Sequence, residues 1–212
     1  MEGLTPVTKE RYISIKSDGL FHEKVEQGTE GAVYREYELK DGTKSGKWEL
    51  LYKDISNVTI KNIRFEDSDF GENILTTFTD GENEVVWSEN TGTNFGSDWM
   101  KRLPNLNLSE KVSIKPYAFT GENGKLKKGV NVYQHDKIGD YFYDWENKKE
   151  LYDFPKKQKE DMKTDDWKLY FLTVKMFLTD YVKKNIVPKF ESSEPSYPTA
   201  ESEGIKPEDT PF

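Results

Sequence analysis

The sequence predicts a mainly β protein: a small barrel of short strands, one C-terminal amphipathic helix, and a disordered acidic tail. Three observations predict it. Short segments of alternating polarity, punctuated by Gly, Asn and Asp, fill the chain as far as Trp145. Between Asp165 and Lys184 the apolar period changes to three and four residues. From Glu191 onward Ser, Pro, Glu and Thr dominate and apolar content collapses.

The strands follow in order. Tyr12-Ile13-Ser14-Ile15-Lys16 alternates cleanly. Val33 to Leu39 places Val33, Arg35, Tyr37 and Leu39 on one face; Asp41-Gly42 and Ser45-Gly46 punctuate the return through Trp48, Leu50 and Tyr52. Asn57 to Phe65 is a third β-like run. Ile74 to Phe78 and Val85 to Trp87 flank Asp80-Gly81, a hairpin signal. Lys111 to Phe119 and Val130 to Tyr133 flank a Gly- and Lys-rich loop, and a last strand covers Tyr141 to Trp145. The segment Lys148 to Lys163 is charged and reads as a linker or a frayed helical lead-in.

The helix is expected over 165–185. Trp167, Tyr170, Phe171, Val174, Leu178, Tyr181 and Val182 form its apolar stripe. Thr164 suits the cap, Asp165 and Asp166 the first turn, and Lys183 and Lys184 the last. Pro188 stops it. Residues 1–190 thus form one domain and 191–212 a tail that buries too little surface to offset its ordering entropy. Five or more short strands with one helix suit a small barrel, with the OB-fold as the leading case.

Composition narrows the chemistry. The chain has 212 residues, 33% of them charged, yet the 14% aromatic content demands a core or a ring-binding ligand. With no Cys, thiolate metal sites and Cys nucleophiles are excluded; His22 and His135 alone leave little material for zinc or His-based catalysis. Glu66 to Glu72 misses the EF-hand spacing, and Gly121-Glu122-Asn123-Gly124-Lys125 lacks the Gly spacing of a P-loop. No catalytic residue, metal or cofactor is therefore expected, and the chain reads as a non-enzyme. No apolar run reaches the ~18 residues of a membrane span, and Met1 to Pro6 lacks a signal-peptide pattern. A cytoplasmic location is expected.

The net charge of −8 is unevenly spread. Residues 191–212 hold six acidic residues and one basic, and so carry −5 of it. Residues 111–137 hold six Lys against Glu122 and Asp136, a local +4. Within that stretch strand alternation separates two faces. Val112, Ile114 and Ala118, with Val130 and Val132, form an aliphatic one. Lys111, Lys115, Tyr117 and Phe119, with Asn131, Tyr133 and His135, form a basic and aromatic one, and Lys125, Lys127 and Lys128 in the loop extend it. Pro116 is a place where this register could break. Lysines neutralise phosphates, and exposed rings stack on bases irrespective of identity. That composition is what a single-stranded nucleic acid requires, although Lys-rich β edges also serve to prevent aggregation. Trp48, Tyr52, Arg64, Trp87 and Trp99 are secondary candidates, each Trp better suited to a core than to a stacking platform because large rings usually pack.

The chain ends Lys206-Pro207-Glu208-Asp209-Thr210-Pro211-Phe212. Such an end offers a partner a ring, an α-carboxylate and two flanking acids. It resembles the tip of bacterial single-stranded-DNA-binding proteins, where two or three Asp precede Ile-Pro-Phe. Glu208, Asp209, Pro211 and Phe212 match that pattern, and Thr210 replaces the usual Ile. The segment from Leu103 through Tyr117, then Gly129 to Gln134, is similar to a group of phage OB-fold proteins of the same function. The resemblance implies a protein that coats single-stranded DNA, in a host cytoplasm if phage-encoded. It also implies roles in replication, recombination and repair, with polymerase, helicase or primase recruited through the tail. Homo-oligomerisation is compatible with it. Two rival readings remain: an interaction adaptor whose β domain binds protein, and a carbohydrate-binding or hydrolytic β-sandwich.

Overall fold

A computed structural model describes residues 10–39, 41–135, 137–138, 155 and 161–191. The expected strand at 141–145, residues 148–154 and 156–160 of the charged segment and the tail residues 192–212 lie outside them.

Among the described residues, ten strands precede the C-terminal helices. They are β1 (Tyr12–Ile15), β2 (Phe21–Val25), β3 (Val33–Glu38), β4 (Lys44–Tyr52), β5 (Ile55–Ser68), β6 (Gly71–Thr79), β7 (Glu84–Asn90), β8 (Val112–Thr120), β9 (Leu126–Gln134) and β10 (Lys137–Ile138). Helix α1 (Asn94–Arg102) and a 3-10 turn lie between β7 and β8; α2 (Thr164–Asn185) and α3 (Pro188–Glu191) follow β10. The mainly β class and the C-terminal helix are as the sequence predicts. Lys163, not Thr164, caps α2, its N–H donating to Asp166 Oδ2 at 3.0 Å.

The strand order is β10-β9-β8-β5-β6-β7-β1-β2-β4-β3, antiparallel throughout except between β7 and β1. The sheet is open, which corrects the expectation of a closed barrel. The reason lies at two edges. Strand β1 occupies the free side of β7 in parallel, with Tyr12 opposite Val86 and Ile13 opposite Trp87, so the sheet continues into a β2–β4–β3 wing. Beside β9 stands α1, where Asp98 Oδ2 accepts the Val130 N–H at 3.3 Å. A helix side chain thus satisfies a donor that a closing strand would have taken.

Strand β5 is long because it serves two partners. It pairs with β8 at Ile55 and Val58, and with β6 from Thr59 to Ser68, with an irregularity between Ile60 and Asn62. One continuous core fills the space between sheet and helices. Ile13, Phe21, Ile63, Phe78 and Trp87 meet Phe95, Trp99 and Met100 of α1 and Val174, Leu178 and Val182 of α2. The rings of Trp87 and Trp99 lie 5.4 Å apart, and Trp99 Nε1 donates to Thr76 Oγ1 at 2.9 Å. No helix among the described residues is long and apolar enough to cross a membrane.

One carboxyl is enclosed where β7, β1 and α1 meet. Glu89 accepts from Thr93 Oγ1 (2.8 Å), the Ile15 N–H (3.4 Å) and Trp87 Nε1 (3.5 Å). Burial pushes its pKa above the ordinary value of 4.5, and those bonds oppose the rise. The folded protein therefore holds this proton more tightly than the unfolded chain. The associated stability is complete below pH 4.5 and is lost as pH rises through the raised value. Glu89→Gln can keep the cluster bonded, with its amide donating to Thr93, and it carries no charge. The variant is expected to melt above the wild type at neutral pH, by roughly 2–4 °C for about 1 kcal/mol in a chain of this size. The gap should close below pH 4.5. A gap in melting temperature that does not vary with pH would sink this assignment.

Candidate nucleic-acid interface

The β8–β9 ladder runs unbroken from Ser113 opposite Tyr133 to Thr120 opposite Leu126, through Pro116 opposite Val130. Pro116 is buried and continues the core face with Val112, Ile114, Val130 and Val132. The outer face carries Lys115 opposite Asn131, Tyr117 opposite Gly129, and Phe119 opposite Lys127. The rings of Tyr117 and Phe119 stand 5.8 Å apart, Phe119 is 52% exposed, and Lys127 Nζ lies 6.0 Å from its ring. Gly129 makes room for this: a Cβ there would stand 2.1 Å from Asp98 Oδ2 and 2.5 Å from Tyr117 Oη.

Lys111 and Lys125 are exposed, and Lys128 and Tyr133 are half-buried. His135 departs from its expected place on the strand. It lies in the turn after β9 with φ +51° and pairs through Nε2 with Glu110.

The secondary candidates do not join the hairpin. Trp87 is 1% exposed and packs edge-on to Phe21, so it is core and offers no face to a base. Trp99 is wholly buried as well. Tyr52 donates to Glu23 Oε2 at 2.6 Å and accepts from Arg11, which fixes its hydroxyl. Arg64 donates to Glu66 Oε1 at 3.0 Å and lies 3.5 Å from Glu10, so two carboxylates already hold its charge. Trp48 pairs with Tyr34 at 5.4 Å in the wing, at the far end of the strand order.

A cleft of about 840 Å³ opens between the hairpin, α1, the β7–α1 turn and the first half of α2. Tyr117, Leu126, Lys127 and Lys128 line it from the hairpin, Ser97, Asp98 and Lys101 from α1, and Trp167, Tyr170, Phe171 and Lys175 from α2. Burial holds the Lys101 pKa below the ordinary lysine value, Asp98 opposing and Arg102 reinforcing. Trp167 and Phe171 stack at 5.6 Å and 26°, and Phe171 is 61% exposed.

The periodicity places Trp167 and Phe171 in the apolar stripe of the helix, and there they line the cleft. The signal that distinguishes them is their spacing with Lys175. Trp167, Phe171 and Lys175 stand four residues apart, ring, ring and cation on one helical row. Phe70, 89% exposed on the β5–β6 turn, is a further bare ring. Its carbonyl accepts from Asn90 Nδ2 at 3.0 Å, beside the Thr91–Gly92 rim of the cleft.

Comparison with protein-family models, curated proteins and solved structures finds no match for this chain.

Proposed function

We propose that the protein binds single-stranded DNA with little sequence preference, and that the cleft and the outer face of the β8–β9 hairpin form its binding surface. The observation that carries this reading is the meeting of ring faces and lysines in one groove. Tyr117, Trp167 and Phe171 stand among Lys101, Lys127, Lys128 and Lys175. Stacking on such rings contributes about 1–3 kcal/mol per base, and phosphate neutralisation adds a salt-sensitive term.

The order of elements supports an OB-type reading of the domain. A three-strand meander (β5, β6, β7) is followed by a helix and then a hairpin (β8, β9), with β8 on the free side of β5. The OB-fold is a five-stranded, partly open barrel whose loops bind oligonucleotides. On that reading β10 and the β1–β4 wing are additions, and Phe70 and the loop 121–125 stand on the ligand-binding loops.

The tail residues Glu208, Asp209, Pro211 and Phe212 are read as the recruiting element for replication or recombination proteins, on the strength of the resemblance alone. An adaptor role has one observation in its favour, the exposed Leu169, Leu172 and Met176 on α2.

The two readings separate in a binding experiment. An oligo-dT and a duplex of equal length are titrated against the whole chain and against Phe171→Ala. The single strand should bind more tightly than the duplex, and the variant should lose about 1–3 kcal/mol on it. Equal affinity for both ligands contradicts the single-strand proposal, and no binding of either contradicts it and leaves the adaptor reading.

A further inference from the structure

A second cationic site lies on the β1–β2–β4–β3 wing. Strands β1 and β2 join through a tight turn in which the Gly19 N–H donates to Lys16 O at 3.0 Å. Gly19 has φ +75° and packs on the peptide between Tyr117 and Ala118; a Cβ there would stand 2.5 Å from Ala118 N. Lys16 therefore starts a turn that touches β8 of the hairpin.

His22 follows on β2, on the side of the strand away from the core residue Phe21, and is only 4% exposed. Its Nδ1 lies 2.7 Å from Glu49 Oε2 and its Nε2 3.0 Å from Asp18 Oδ2. Glu49, 1% exposed, also pairs with Lys47 Nζ at 2.9 Å and with Arg35 at 3.8 Å. Arg35 on β3 stands directly opposite Lys47 on β4. Both carboxylates are thus engaged by His22, while Glu49 also anchors the heads of Lys47 and Arg35.

Lys16 has no ion-pair partner among the described residues. Burial lowers its pKa and the neighbouring Lys47 and Arg35 add to this, Glu49 and Glu89 opposing. Lys16 at the start of the β1–β2 turn, Arg35 on β3 and Lys47 on β4 share one corner, with an exposed ring beside them, Tyr37, whose centroid is 6.0 Å from Lys47 Nζ. Enclosing a His–carboxylate pair on an outer sheet face costs desolvation. What the arrangement obtains is two oriented cationic heads next to a third that lacks a counter-ion.

We infer that Lys16, Arg35 and Lys47 form a second phosphate subsite, which takes the backbone of the single strand where it leaves the hairpin across the Gly19 turn. This subsite rests on the single-strand reading above and extends its path from the cleft onto the wing. A strand long enough to reach both surfaces engages all the lysines; a short one engages only the hairpin and cleft.

The test compares wild type with Lys16→Gln/Arg35→Gln/Lys47→Gln, using oligo-dT of about 5 and about 15 nucleotides, lengths near the two ends of the site-size range of roughly 4–16. Affinity is measured across a salt series. On the long oligonucleotide the triple variant should bind roughly tenfold more weakly, and its log–log salt slope should be shallower by about 2, at roughly 0.7 per phosphate contact. On the short oligonucleotide it should match wild type. Lys16→Gln, which breaks no ion pair among the described residues, should show about a third of the slope change and guards against misfolding of the triple variant. A variant with wild-type slope on the long oligonucleotide overturns the subsite while leaving the cleft reading standing. Wild type that binds neither length overturns both.

Discussion

Replacing Lys127 and Lys128 together with glutamate is expected to weaken binding of oligo-dT by about 100-fold at low salt, with no change in melting temperature. Both side chains line the cleft, and Lys127 sits beside the exposed Phe119 ring. Each lysine that neutralises a phosphate contributes roughly 0.7 to the salt slope on a single strand, and the introduced carboxylates repel the same phosphates. The effect should fade as salt rises, because the term removed is screened. Stability should hold, since Lys127 is exposed, Lys128 half-buried, and neither forms an ion pair among the described residues. Affinity measured by anisotropy at two salt concentrations, with a melting curve for each protein, checks both halves. An unchanged affinity would remove the hairpin from the binding surface.

Trp99→Ala should be the most destabilising single change in the domain, by about 3–5 kcal/mol. Trp99 has no exposed surface, and its ring lies 5.4 Å from Trp87 and 6.1 Å from Phe78. Truncation leaves a cavity between α1 and the sheet and leaves the Thr76 hydroxyl, itself fully buried, without its indole donor. A domain holding ~5–15 kcal/mol in all would be close to unfolding. Because α1 also supplies Ser97, Asp98 and Lys101 to the cleft, ligand affinity should fall along with stability. Denaturant unfolding of the two proteins decides the matter; a cost below about 1.5 kcal/mol would mean that α1 is not anchored as described.

The hairpin was legible because its chemistry obeys its geometry. Val112, Ile114, Val130 and Val132 alternate with Lys115, Tyr117 and Tyr133, and Pro116 keeps the register because its missing N–H costs nothing at that position. Strand β2 was not legible. Phe21, His22 and Glu23 are all buried, so no polarity alternation marks the strand; His22 and Glu23 are satisfied by distant partners, Glu49 and Arg11. Helix α1 leaves no mark in the sequence for a related reason. Asn94-Phe95-Gly96-Ser97-Asp98 has poor helix propensity, and the turn is held instead by the Thr93 cap, whose Oγ1 accepts from the Gly96 N–H at 3.0 Å, and by burial of Phe95, Trp99 and Met100. The open sheet depends on β1 pairing in parallel with β7, a contact between segments some 74 residues apart, as Ile15 N–H to Glu89 illustrates. No local pattern encodes such a pairing. On α2 the apolar stripe is wide enough to serve two surfaces. Val174, Leu178 and Val182 face the core, while Trp167 and Phe171 turn to the cleft.

The most direct test of the central claim is a fluorescence titration of the whole chain with oligo-dT at low and moderate salt, alongside Trp167→Phe. Trp87 and Trp99 are buried, whereas Trp167 lines the cleft and should stack on an incoming base. Saturable quenching that weakens steeply with salt and is clearly reduced in Trp167→Phe is the predicted result. Unchanged fluorescence at about 50 µM protein, near the upper range of non-specific affinities, would contradict the claim that this protein binds single-stranded DNA in the cleft.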